Sequence, residues 1–184
     1  MDRRLVEHAQ AGDREAFAGI LRAVGDRMYA TAYRILRDPD QAQDAYQDAM
    51  ITAWRQLATL RDPDRFEAWV RRILVHACYA EVKRRSRWVM DANVEETLVD
   101  PSTASGPAIH DRDQLEQAFR LLSIDHRAVF VLHHHVGLPL VEVASTLGIP
   151  QGTARSRLHY ATQALRRTLE AGDAADGVSR EVVA

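Results

Sequence analysis

From Phe17 onward, apolar residues return every three or four positions: Ile20, Leu21, Val24, Met28, Ala32 and Ile35. That is the period of a helix with one buried face. A shorter helix, Arg3 to Gln10, precedes it and stops at Gly12, and Asp13 caps the longer one. Asp38-Pro39 reads as a helix start, with Asp as the cap and Pro in the first turn. The helix that follows buries Ala42, Tyr46, Ala49, Ala53, Leu57 and Leu60, until Arg61-Asp62-Pro63-Asp64 breaks it. A fourth helix is predicted from about Arg65 to Arg87, with Phe66, Trp69, Val70, Ile73, Ala77 and Ala80 inside.

The periodicity then lapses. Residues 91–112 are acidic and gather Pro101, Ser102, Ser105, Gly106 and Pro107, the composition of a flexible linker. Leu115, Phe119 and Leu122 open a second helical segment, and Ser123 or Asp125 can cap a helix running through Val129 and Leu132. Leu140, Val143, Ala144 and Leu147 then form a short helix. Gly148 ends it, because a residue without Cβ accepts the left-handed backbone of a helix end. Ile149 can plug back between the helices and Pro150 can start the next one, whose buried stripe is Ala154, Leu158, Ala161 and Leu165. Two helices joined by so tight a turn predict a helix-turn-helix. Residues 171–184 are expected to be a disordered tail.

The fold class expected is therefore all-α: two small helical domains, 1–90 and 113–170, joined by the 91–112 linker. A linker without an apolar stripe predicts domains that move independently or meet through a weak interface. The chain has 24 Lys and Arg against 26 Asp and Glu, so any affinity for nucleic acid must come from local patches and not from overall charge. The single cysteine, Cys78, allows no internal disulfide, fits a reducing cytoplasm, and reads as a small buried hydrophobe. No apolar run approaches membrane-spanning length, so membrane insertion is not expected.

Three surfaces carry chemistry. On the second helix of the helix-turn-helix, Gln151, Gly152, Thr153, Arg155, Ser156, Arg157 and His159 mix small, hydrogen-bonding and cationic groups, with Arg166 further along. A slim helix of that kind fits a DNA major groove. On the third helix, Asp44, Gln47, Asp48 and Ile51 lie opposite the buried stripe; an outward Ile among carboxylates and an amide suits a protein contact. The fourth helix ends in Lys83, Arg84, Arg85, Arg87 and Trp88, cations beside an aromatic ring as single-stranded nucleic acid requires.

The order and spacing of these segments carry a family resemblance. AGDREAFAGIL, DPDQAQDAYQDAMITAW and FEAWVRRIL, followed by DHRAVFVL, GLPLVEVASTLGIPQGTARSRL and ALRRTL, resemble the bacterial RNA polymerase sigma factors of the extracytoplasmic-function (ECF) group. The resemblance spans about Leu5 to Leu169. It implies a first domain that binds core polymerase and melts the −10 element, and a second that reads the −35 element. It implies that Asp44, Gln47, Asp48 and Ile51 contact the β′ clamp helices, and that the chain also meets the β flap. It assigns −10 DNA to Arg61, Arg65, His76, Lys83, Arg84 and Arg85, with His76 and the Arg61–Arg65 loop sharing a base pocket. The −35 DNA falls to Gln151, Gly152, Thr153, Arg155, Ser156, Arg157, His159 and Arg166. The partners it implies are core polymerase, promoter DNA and an inhibitory anti-sigma factor, with the free chain a monomer. The sequence departs from the family pattern at Gln41-Ala42-Gln43-Asp44, a less acidic run than usual, and at His76, where Asn is common. At Pro139 a Ser or Thr cap is usual, so a shifted helix start is expected there.

Two other functions compete with this reading. A stand-alone helix-turn-helix regulator would dimerise and bind duplex operator DNA without polymerase. A histidine-metal enzyme is suggested by His133-His134-His135, but consecutive helical residues point about 100° apart, whereas a shared site wants spacings of three or four. With no Gly-rich phosphate loop and no nucleophile turn, no catalytic residue, metal or cofactor is expected.

Overall fold

In the computed structural model, residues 1–92 and 116–181 are described. The first group of helices is α1 (Arg3–Gln10), α2 (Arg14–Leu36), α3 (Pro39–Gln56) and α4 (Phe66–Ala92), with 3₁₀ turns at Leu57–Thr59 and Pro63–Arg65. The second comprises α5 (residues 116–121), α6 (Ile124–Phe130), a π-helical turn at Val131–His135, α7 (Leu140–Leu147) and α8 (Gln151–Glu181). There is no strand among the described residues. Nor is any helix among them long and apolar enough to cross a membrane. The linker expected at 91–112 falls almost wholly outside the described residues; only 91 and 92 are seen, as the end of α4.

The helix ends follow the local chemistry. The Asp13 side chain accepts from the backbone N–H groups of Glu15 and Ala16, and Asp38 does the same for Asp40 and Gln41. Ser123, not Asp125, caps α6, its hydroxyl accepting from the His126 N–H. Pro139 causes no shift: α7 begins at Leu140, and the Pro139 carbonyl accepts from Glu142 and Val143. Gly148 adopts φ +66°, and the Ile149 N–H reaches back to the Ala144 carbonyl at 3.0 Å, closing the helix end as expected.

Two expectations need correction. The buried stripe of α4 is Phe66, Val70, Leu74, Val75 and Cys78; Trp69, Ile73 and Ala77 are only half-buried, and Ala80 is exposed. Periodicity misleads there because α4 packs on two sides, against α2 and α3 and also against α7. The tail predicted to be disordered continues α8 as helix to Glu181. Once a helix is nucleated, each further residue adds a hydrogen bond, so two glycines do not stop it. Of the two arrangements expected for the groups of helices, independent or in contact, the structure has the second. One apolar core runs from Val24, Ile35 and Leu74 into Val129, Leu132 and Val143, all fully buried. A smaller satellite core holds Ala118, Leu122, Ala161 and Leu165.

A polar seam accompanies that core. The Tyr79 hydroxyl donates to Asp125 at 2.7 Å, and Arg157 pairs with the other Asp125 oxygen at 2.6 Å. Burial, reinforced by the bond to Asp125, pushes the Tyr79 phenol well above its ordinary range, so it remains a donor. On the far side of the seam, Arg37, which caps the C-terminal end of α2, pairs with Glu116 of α5.

Candidate nucleic-acid and polymerase interfaces

Small alanines build the first surface. Ala42, Ala45, Ala49 and Ala53 are buried almost completely, which seats α3 tightly and turns its other side outward. Asp44, Gln47, Asp48 and Ile51 are all exposed there, Ile51 by 48 %. Beside Ile51 runs an apolar groove of about 550 Å³, floored by Phe17, Leu21, Met50 and Trp54 and edged by Arg14 and Arg55. Burying such a floor releases water, and the charged edges can orient a partner helix. The groove was not anticipated from sequence. Its signal was Trp54, three positions after Ile51 and so on the same face.

Next to it, and sharing Ile51 and Arg55, a second groove runs between α3 and α4. Asp48, Ile51, Thr52 and Arg55 face Ile73, His76, Ala77 and Ala80 there. His76 therefore neighbours the α3 face and does not line this groove together with the Arg61–Arg65 loop. Ten residues of helix separate it from Phe66, about 15 Å at the helical rise. The loop is fastened from elsewhere. The Asp62 side chain accepts from the Asp64 N–H, Arg3 of α1 pairs with Asp64 at 2.7 Å, and Gln10 donates to the carbonyls of Leu57 and Leu60. Arg61 and Arg65 remain exposed.

At the far end of α4, Lys83, Arg84 and Arg85 are exposed. Arg84 bridges Asp44 at 2.9 Å and Glu81 at 2.5 Å, and Arg85 meets Asp38 at 3.5 Å. The hydrogen bond to Glu81, with the charges of Glu81 and Asp44, raises the Arg84 guanidinium above its usual value. Two of the expected DNA contacts thus lie within reach of carboxylates in α3 and at its N-cap.

The third surface is α8. Ala154, Ala161 and Leu165 are buried, and Leu158 half-buried; α8 packs against α6 and α7, and Ala161 and Leu165 also meet Ala118 and Leu122. Gln151, Gly152, Arg155, Ser156, His159 and Arg166 are exposed, while Thr153 is half-buried. The Ser156 hydroxyl donates to the Thr153 carbonyl at 3.0 Å, which keeps its lone pairs available outward. Arg157 departs from the expected face: its side chain is directed to Asp125 in the seam. Tyr160 extends the surface, 60 % exposed and beside the rings of His126 and His159.

The comparisons with known proteins agree with this layout. The family described as Sigma-70 region 2 matches residues 15–88, and that described as Sigma-70, region 4 matches residues 118–167. The ECF RNA polymerase sigma factor SigL of Mycobacterium tuberculosis is 32% identical over 167 residues, covering 87% of this chain and 94% of SigL. SigW of Bacillus subtilis, also an ECF RNA polymerase sigma factor, is 28% identical over 181 residues, 92% of this chain and 97% of that protein. Among solved structures, the sigma factor RpoE of Bartonella quintana, crystallised with the anti-sigma factor NepR, superposes with a TM-score of 0.68 at 25% identity. That superposition covers 84% of this chain and 96% of RpoE.

Proposed function

The chain belongs to the ECF group of bacterial RNA polymerase sigma factors, and on that premise we propose the work each of its surfaces does. It is a sigma factor: it binds core RNA polymerase and directs promoter-specific transcription initiation. Membership of the family favours this reading over a stand-alone regulator of duplex operators. The chain works in the cytoplasm, where polymerase is, and contributes no catalysis of its own; the polymerase supplies the chemistry.

The α3 face, with Asp44, Gln47, Asp48 and Ile51, docks on the β′ clamp helices, and the groove floored by Met50 and Trp54 takes apolar side chains of the same partner. Arg155, Ser156 and His159 read base edges of the −35 element, while Gln151, Gly152, Thr153 and Arg166 position the helix on the backbone. His76 with the exposed end of α4 handles the opened −10 strand, Lys83, Arg84 and Arg85 holding phosphates and Arg61 and Arg65 guiding the strand's entry. Arg157 joins the phosphate contacts when the seam opens. The region 2 match spans residues 15–88, and the functional domains are 1–90 and 113–170. By analogy with RpoE and NepR, an anti-sigma factor competes for the same surfaces.

The observation that carries this reading is geometric: both reading faces are exposed, yet Tyr79 of α4 and Arg157 of α8 meet at one carboxylate, Asp125. The −10 and −35 elements are about 25 base pairs apart, roughly 85 Å at 3.4 Å each. Helices tied through Asp125 cannot reach both. Engaging a promoter therefore requires the seam to open, and polymerase binding supplies the free energy to open it. Run-off transcription tests the reading. Core polymerase with this chain should initiate at a cognate promoter and core alone should not. Transcription that is indifferent to the chain on a promoter library would defeat it.

A further inference from the structure

Neither promoter reading nor polymerase docking uses the histidine run at 133–135. His134 and His135 line a cavity of about 450 Å³ between the two groups of helices, facing Arg34 of α2 and Arg37 at its C-terminal cap. The rings of Tyr33 and Phe119 flank Arg37, whose guanidinium carbon lies 5.5 and 5.4 Å from their centres. The one carboxylate lining the cavity among the described residues is Glu116, and it pairs with Arg37.

That leaves cations in excess. The Arg37 side chain is only 10 % exposed, yet its Nε–H has no acceptor. Arg127 nearby also has a buried Nε without a partner. Burial holds both guanidiniums below their usual range; Arg120 and Arg34 add to the effect on Arg37, and Arg37 adds to that on Arg127. Buried charged groups in folded proteins are ordinarily paired or hydrogen-bonded, so an orphaned donor of this kind calls for a ligand. Arg37 is also the only non-glycine residue with positive φ, at 61°, among the described residues. A glycine would sit there without strain, but no glycine could supply a guanidinium.

We propose that this cavity binds a small phosphate-bearing anion, held by Arg37 and Arg34 with the imidazoles of His134 and His135. A guanidinium fork matches the spacing of phosphate oxygens and can take two of them at once. The aromatic walls offer a base a place to stack, so a nucleotide and a simple inorganic phosphate share the chemistry the site recognises. Because its walls come from both groups of helices, an occupant stabilises the closed arrangement and withholds the chain from promoters.

The full-length protein is titrated with inorganic pyrophosphate and, separately, with adenosine diphosphate at constant ionic strength, by calorimetry and by thermal unfolding. Saturable binding at one site and a rise in Tm are expected. Arg34→Gln and Arg37→Gln should each weaken binding by roughly tenfold or more, as loss of a charge-assisted hydrogen bond does. Arg155→Gln, on the DNA-reading face, should leave it unchanged. Tighter binding of adenosine diphosphate assigns the rings to a base, and equal binding assigns the site to phosphate alone; both support the proposal. If Arg37→Gln fails to fold, Arg34→Gln decides. Absence of saturable binding, retention of wild-type affinity in a folded Arg34→Gln protein, or equal loss in Arg155→Gln overturns it.

Discussion

Arg84 and Asp44 are 40 residues apart in the chain and 2.9 Å apart in space. The pair joins a cation proposed for the −10 strand to a carboxylate proposed for the polymerase face. Arg84 also bridges Glu81, which is 7% exposed. Its removal leaves that buried carboxylate short of a cation. Arg84→Gln should therefore lower the stability of the free protein by about 1 kcal/mol, discounted because Arg84 itself is exposed. Lys83→Gln should leave stability unchanged while reducing promoter opening at every sequence and flattening its salt dependence. Denaturant melts and permanganate footprinting separate the two roles; a fully stable Arg84→Gln protein would show the pair to be ornamental.

On the polymerase side, Asp48→Arg reverses a charge beside the apolar groove without touching the buried alanines. Core binding should weaken by roughly 2 kcal/mol, the loss typical of a hot spot, with helix content retained. A fluorescence titration with core enzyme checks it, and unchanged affinity would exclude this face.

Two arginines of α8 should behave differently. Arg155→Ala should relax base preference at one −35 position, a discrimination of roughly 1–3 kcal/mol if the contact is bidentate. Arg166, exposed and on the next turns, should act uniformly, so Arg166→Ala weakens all promoters alike. Selection from randomised promoters distinguishes the two, and identical preferences for Arg155→Ala and wild type would reassign the reader.

The seam can be loosened at one atom. Tyr79→Phe removes the hydroxyl that donates to Asp125 and keeps the ring. The cost should be about 1 kcal/mol, shifting free protein toward open arrangements detectable as a larger radius in solution scattering. Asp125→Ala, which also strands Arg157, should open it further. Scattering curves that match wild type for both variants would mean the apolar core alone holds the groups together.

Cys78 is fully buried, and burial pushes its thiol up to about 12. Thiolate is the reactive form, so at pH 8 the native protein should resist alkylation and react only on unfolding. Prompt labelling of folded protein by a thiol reagent would contradict the packing of α4.

How much of this could be read without coordinates depends on whether the cause is local. Asp13, Asp38 and Gly148 set helix ends through groups within a few residues, so those boundaries follow from the sequence alone. One-sided helices reveal their outward faces for the same reason, and Asp48, Ile51, Arg155 and His159 are exposed as their spacing implies. A stripe says that a face is buried and not what buries it. Only tertiary structure packed α6, with Val129, against α2, and α7, with Val143, against α4, which also gave α4 two buried sides and hid its true stripe. Only it turned Arg157 to Asp125, set His76 beside Asp48, and brought Arg34, Arg37, His134 and His135 around one cavity. Periodicity records which residues leave water; the partner each one meets depends on chain segments dozens of residues away.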